Sequence, residues 1–214
     1  MLARVRSVDF FVTDCRARVP FGFGKATLRA APLLLARAEV ECDGARATGF
    51  AADLLVPKWF DKDPRKSARQ DALDLIASAE RAAEALGGAG EDLPVFELWR
   101  RAHEECVRGA PNGLLAGFGV ALCERALIDA ACRAAGVSFF EALKRDLFAL
   151  DPARVYPALE AWDLAASLPD APLASVAVRH TVGLTDALRG SELKREARAG
   201  GAAIAARCEG PAPA

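Results

Sequence analysis

The sequence has no excess of either charge: 28 Lys and Arg face 29 Asp and Glu over 214 residues, for a formal net charge of -1. No overall basic character therefore points to nucleic acid. No apolar run approaches the ~20 residues needed to span a bilayer. The longest, Ala30 to Ala36, has the length of a buried strand. The opening Met1-Leu2-Ala3-Arg4-Val5-Arg6 lacks the apolar core of a signal peptide, so neither secretion nor membrane spanning is expected. The six cysteines (Cys15, Cys42, Cys106, Cys123, Cys132, Cys208) include no closely spaced pair. That argues against a zinc site, and against the disulfide framework of a small secreted domain. Reduced thiols packed as small hydrophobes, in a cytoplasmic protein, are the expectation.

Chemical signatures are also scarce. The glycine pattern of a nucleotide or dinucleotide loop is missing, and no nucleophile-elbow pattern supports a serine triad. Only His103 and His180 could serve as a histidine base. His103, beside Glu104 and Glu105, is expected on a wet helix surface. His180 shares a strand-like face with valines and reads as a hydrogen-bonded core histidine. The pairs Arg100-Arg101 and Lys144-Arg145 lack interleaved aromatics and read as solvated helix faces, not as a nucleic-acid surface.

What is present is the composition of a folded globular chain of one or two domains, 52% hydrophobic and 27% charged. Arg4 to Thr13 and Leu33 to Cys42 alternate as strands with one wet face, and Asp43-Gly44 is a hairpin turn returning through Ala45 to Ala52. Met1 to Asp53 is thus expected to form a three-stranded antiparallel sheet. Helices follow. Asp63-Pro64 gives a start signal, Ala72, Leu75, Ile76, Ala79, Ala83 and Leu86 keep helical spacing, and Gly87-Gly88 stops the run. A second helix carries Val95, Leu98, Trp99, Ala102 and Cys106 on one side and ends near Gly109. A third, Leu114 to Ala135, is apolar almost all round and must be buried over most of its circumference. Its polar stripe of Arg125, Asp129 and Arg133 is spaced by four, which allows ion pairs along it. Ser138-Phe139-Phe140-Glu141 opens a fourth helix with a capping box, running to about Leu150. Pro152, Pro157, Pro169 and Pro172 mark residues 151 to 175 as a crossing segment, and Ser175 to Val182 resumes strand-like alternation. The Ala-, Gly- and Arg-rich tail from Gly190 reads as disordered. The class is α+β.

Several segments carry a resemblance to a known family. Arg18-Val19-Pro20-Phe21-Gly22-Phe23-Gly24-Lys25-Ala26-Thr27 resembles the loop after the first strand in enolase-superfamily enzymes, in the mandelate racemase and muconate lactonizing branch. The hairpin through Ala45 to Ala51 is similar to the second and third strands of that family's capping domain. Leu122 to Ser138 is similar to its long helix and following turn, and Val178 to Leu184 to the first strand of its barrel. The resemblance covers roughly residues 1 to 188 and implies a capping domain over 1–150, then a linker and first barrel strand over 151–189. It also implies a fold completed by a modified (β/α) barrel. There a magnesium ion on three carboxylates, with a lysine or histidine base, removes a proton next to a small substrate's carboxylate in a racemase, cycloisomerase or dehydratase reaction.

A complete barrel takes about 250 residues, whereas only 42 follow Pro172 here. Asp186, Glu192, Lys194 and Glu196 sit in no apolar strand that would aim them at a shared cation. The chain therefore reads as truncated, with no catalytic or metal-binding residue of its own and no cofactor, magnesium being implied only for a full-length relative. Whether it is an enzyme at all stays open at this level. Candidate substrate contacts are Phe21, Phe23 and Lys25, in a glycine-aromatic flap, and Lys58, in an apolar segment matching the family's second cap loop. The blander alternatives are a turn whose phenylalanines pack on the sheet, and a connection burying Trp59 and Phe60. Two other readings stay in play: a stand-alone α+β binding or dimerisation module, and an enzyme using the Phe21 to Lys25 loop with an unrecognised base. Apolar surface left without its barrel predicts self-association.

Overall fold

The computed structural model describes residues 1–23 and 26–179. The fold is α+β, with an antiparallel sheet covered on one face by helices. Strands β1 (Leu2–Phe23), β2 (Ala26–Cys42) and β3 (Ala45–Leu54) form a meander. A two-residue strand, β4 (Leu93–Pro94), joins the far side of β1, giving the order β3-β2-β1-β4. The sheet thus has four strands where alternation predicted three. The β2–β3 turn is made by Asp43 and Gly44, both at positive φ (46° and 82°), the geometry that matches hairpin twist.

Register explains which side is core. On β2, Leu34, Ala36, Ala38, Val40 and Cys42 are buried, while Leu33, Leu35, Arg37, Glu39 and Glu41 point to the other face. Three helices cover the buried face: α1 (Ala68–Gly87), α2 (Val95–Val107) and α3 (Gly113–Ala135). α3 lies in the middle, against β3 and β2 on one side and α1 and α2 on the other. That position requires a helix apolar nearly all round, as its sequence is. Asn112 caps its start by accepting from the Leu115 amide, and Gly136 ends it in the left-handed conformation (φ 63°). No helix among the described residues is long and apolar enough to cross a membrane.

Several boundaries differ from expectation. β1 and β2 are far longer than the alternation of Arg4 to Thr13 and Leu33 to Cys42 suggests, because they continue as a two-stranded arm that needs only backbone pairing. α1 begins at Ala68, not at Pro64. Ser67 and Gln70 form a full capping box. Asp63 instead accepts from the Arg65 amide in a tight turn. α4 (Phe139–Lys144) starts with the expected Ser138–Glu141 box but lasts six residues, and Asp146 and Ala149 then adopt positive φ. Residues 151–163 contain two short 3-10 turns, and α5 (Leu164–Ser167) is a single turn. The strand expected over Ser175–Val182 is absent over 175–179, where Val176 and Val178 are exposed. His180 and the tail lie outside the described residues.

Candidate functional site

The two segments proposed for substrate contact leave the sheet at the same end. Leu54, the last residue of β3, pairs with Leu33 of β2, and Thr13 of β1 pairs with Leu33 from the other side. Beyond that row only β1 and β2 continue. Their pairing runs through Arg16↔Ala30, breaks, and resumes at Phe21↔Leu28, Gly22↔Thr27 and Phe23↔Ala26. The break places Ala17 to Pro20 opposite Arg29, a bulge that fits Pro20's missing amide donor. Phe21 to Phe23 therefore belong to a paired hairpin arm, not to a free loop. Phe21 is half-buried, and Lys25 lies outside the described residues.

The chain after β3 starts at the base of this arm. The Leu55 amide donates to the Pro32 carbonyl at 2.8 Å, and the Leu55 side chain is fully buried. Next comes Lys58, at φ 61°. Its ammonium donates to the carbonyls of Asp63 (2.8 Å) and Lys66 (2.7 Å) and pairs with the buried Asp71 carboxylate at 3.0 Å. The Asp71 carboxylate also accepts from the Lys58 amide at 3.2 Å. The three ammonium hydrogens thus each have an internal acceptor, and Lys58 holds the 58–71 loop in shape. Lys66 in turn bridges Asp61 (2.6 Å) and Asp74 (2.7 Å), which holds the Asp61 carboxyl below its usual range. Asp63, gripped by Arg65, is pushed down to about 2. The loop presents Trp59, 54% exposed, while Phe60 is half-buried edge-on against Phe118 at 5.0 Å. Burial of both rings, as the blander reading required, holds only in part, for Phe60.

Other candidates separate from this end. His103 is exposed on α2, with its ring 5.2 Å from Trp99. The five described cysteines are free thiols, and Cys42, Cys123 and Cys132 are buried. Burial pushes the Cys123 thiol up to about 12, which makes it unreactive. Glu124, on α3, escaped the sequence reading. Desolvation among apolar neighbours pushes its carboxyl up to about 7, against a weak opposing pull from Arg125. The signal for it was an acid among apolar positions, off the Arg125–Asp129–Arg133 stripe. Among the described residues no three His, Cys, Asp or Glu side chains converge to hold a metal ion. Two acids are committed to arginines: Glu97 on α2 to Arg100, Arg101 and Arg154, and Asp53 on β3 to Arg125. A magnesium site does not fit these side chains.

No family model matches the sequence, and no curated protein does. Several solved structures are similar to this chain. An enolase from Bradyrhizobium, solved with magnesium and mandelic acid, is 20% identical, with 67% of this chain and 35% of that chain covered at a TM-score of 0.48. A mandelate racemase/muconate lactonizing enzyme-like protein from Rubrobacter xylanophilus is 16% identical (66% and 33% covered, TM-score 0.44). A mandelate racemase/muconate lactonizing enzyme from Sorangium cellulosum is 22% identical (65% and 34% covered, TM-score 0.44). The chain spans about a third of the length of the structures it resembles.

Proposed function

We propose that residues 1–150 act as a substrate-capping domain of the enolase-superfamily kind, in the cytoplasm, and that the described residues do not catalyse by themselves. The observation that carries this reading is the common origin of the β1–β2 arm and the 55–67 loop at one end of the sheet, where they can form the two edges of a lid. Phe21 and Phe23 offer apolar contact and Lys25 a cation for a small carboxylate. Lys58 contributes by fixing the second edge, since its ammonium is already satisfied. In a full-length protein of this architecture, magnesium would stabilise the enediolate formed when a proton leaves the carbon next to the substrate carboxylate. That chemistry would belong to the barrel of such a protein, not to residues 1–150.

The test is a titration of the isotopically labelled chain with mandelate, followed by amide shifts. Shifts should centre on Phe21, Gly22 and Phe23. Lys25→Ala should abolish them without changing thermal stability. Lys58→Ala should lower stability by about 2–3 kcal/mol, because it strands a buried carboxylate. Shifts absent from the arm, or unaffected by Lys25→Ala, would refute the capping role.

The alternative, a self-associating module, draws on the sheet face opposite the helices. There Phe11 and Phe50 are 48% and 42% exposed and lie near Leu33, Leu35 and Leu54. Self-association through that face remains part of the proposal.

A further inference from the structure

The polar stripe of α3 does more than face water. Among the described residues β3 pairs only with β2, so its other edge carries backbone groups with no described strand beside them. α3 comes unusually close to β3 because Gly49 has no side chain: a Cβ there would lie 2.1 Å from the Ala126 carbonyl oxygen and 2.4 Å from the Ala130 nitrogen. From that position the stripe residues reach round the edge. Asp129 Oδ2 accepts from the Phe50 amide at 2.9 Å. Arg125 donates to the Ala52 carbonyl at 3.5 Å and to the Asp53 carboxylate at 2.8 Å. Arg133 donates to Asp129 Oδ2 at 2.8 Å and lies 5.7 Å from the Phe50 ring centre. These are contacts to the outward amide of Phe50 and the outward carbonyl of Ala52, two of the groups that an added strand would bind.

We propose that Arg125, Asp129 and Arg133 form a clasp that occupies the free edge of β3 and prevents a second copy of this chain from adding its own β3 there. An unpaired edge is the commonest route by which sheets associate wrongly, and proteins block it with charged side chains or covering elements. Here both devices are combined, with a covering helix supplying the charged groups. The β3 edge is compatible with itself as an occupant. Ala45–Leu54 is a ten-residue strand without proline, and a two-fold axis near Phe50 would set it antiparallel to its own copy. The inference is independent of the capping role, because it concerns a different edge of the sheet from the β1–β2 arm.

Two measurements test it on the full chain. First, amide hydrogen exchange: the β2–β3 register turns the amides of Thr48, Phe50 and Ala52 to the same outer edge, but only Phe50 has Asp129 as acceptor. The Phe50 amide should exchange at least ~10-fold more slowly than those of Thr48 and Ala52. Equal rates would overturn the clasp without any variant. Second, sedimentation of Arg125→Ala/Asp129→Ala should reveal a concentration-dependent dimer not formed through this edge by the parent chain. In that dimer the Thr48 and Ala52 amides become protected. A folded double variant that sediments like the parent would overturn the proposal. Asp129→Asn retains an acceptor oxygen and should keep both the Phe50 protection and the parent's sedimentation, so its dimerisation would count equally against the clasp.

Discussion

Gly119 has no room for a methyl group, and the reason is a serine on the neighbouring helix. A Cβ at Gly119 would sit 2.1 Å from the Ser78 carbonyl oxygen and 2.5 Å from the Ala79 nitrogen. The buried Ser78 hydroxyl uses this closeness. It accepts from the Gly119 amide at 3.1 Å and faces the Leu115 and Ala116 carbonyls at 2.9 and 3.0 Å. Gly119→Ala would force α1 and α3 apart and strand that hydroxyl, so it should cost at least ~3 kcal/mol. Ser78→Ala, which only deletes the hydroxyl, should cost about 1–2 kcal/mol. Denaturant titration of the two variants measures both losses. Equal losses would mean that the hydrogen bonds, not the close approach, dominate this contact. Glu124 gives a residue-scale prediction of opposite sign to most acids. Its folded carboxyl titrates near 7, above the unfolded value. Between roughly pH 4.5 and 7 the folded chain holds a proton that the unfolded chain has lost, so stability falls as pH rises through that window. Glu124→Gln should flatten that part of the profile and raise stability at pH 8 by about 1–2 kcal/mol. Thermal melts across pH 4.5 to 8 would read this directly.

At the scale of elements, how much was legible depended on whether a signal was local. The Asp43-Gly44 hairpin and the Ser138–Glu141 box rest on residues within a few positions of each other, and both are recognisable from spacing alone. The start of α1 was expected at Asp63-Pro64, but the helix begins after Ser67, and Lys58 gives the reason. Lys58 takes the carbonyls of Asp63 and Lys66, acceptors that a helix beginning at Pro64 would need for its own first turns. The arm of β1 and β2 was illegible for a different reason. A two-stranded extension buries little, so no apolar alternation records it, and Pro20 and Pro32 mask the rest. β4 is two residues long and exists only because β1 is beside it. The stripe on α3 was correctly read as charged, but its partner strand lies more than 70 residues away in the chain. The candidate site shows the same division. Phe21 to Lys25 could be singled out from their glycines, whereas the internal role of Lys58 depends on Asp71, a buried acid that helical periodicity had no reason to flag.

For the whole molecule, the described residues amount to a lid-like layer. A sheet carries helices on one face, an arm and a loop project from one end, and Asp53, Asp61, Asp63, Asp71, Asp74 and Glu97 are each paired with an arginine or lysine. Nothing in that arrangement gathers the carboxylates that would hold a divalent cation beside a substrate, among the described residues. The β/α barrel implied by the family resemblance is likewise not found among them, and Val176 and Val178 lie exposed with no strand formed. Under the capping role proposed above, the arm recognises the substrate and the chemistry takes place elsewhere. The most direct measurement is calorimetric titration of the 214-residue chain with magnesium in the presence of mandelate, with turnover of the acid followed in the same sample. The account predicts no stoichiometric magnesium heat and no turnover. A one-to-one magnesium site accompanied by racemisation or dehydration of the acid would contradict it.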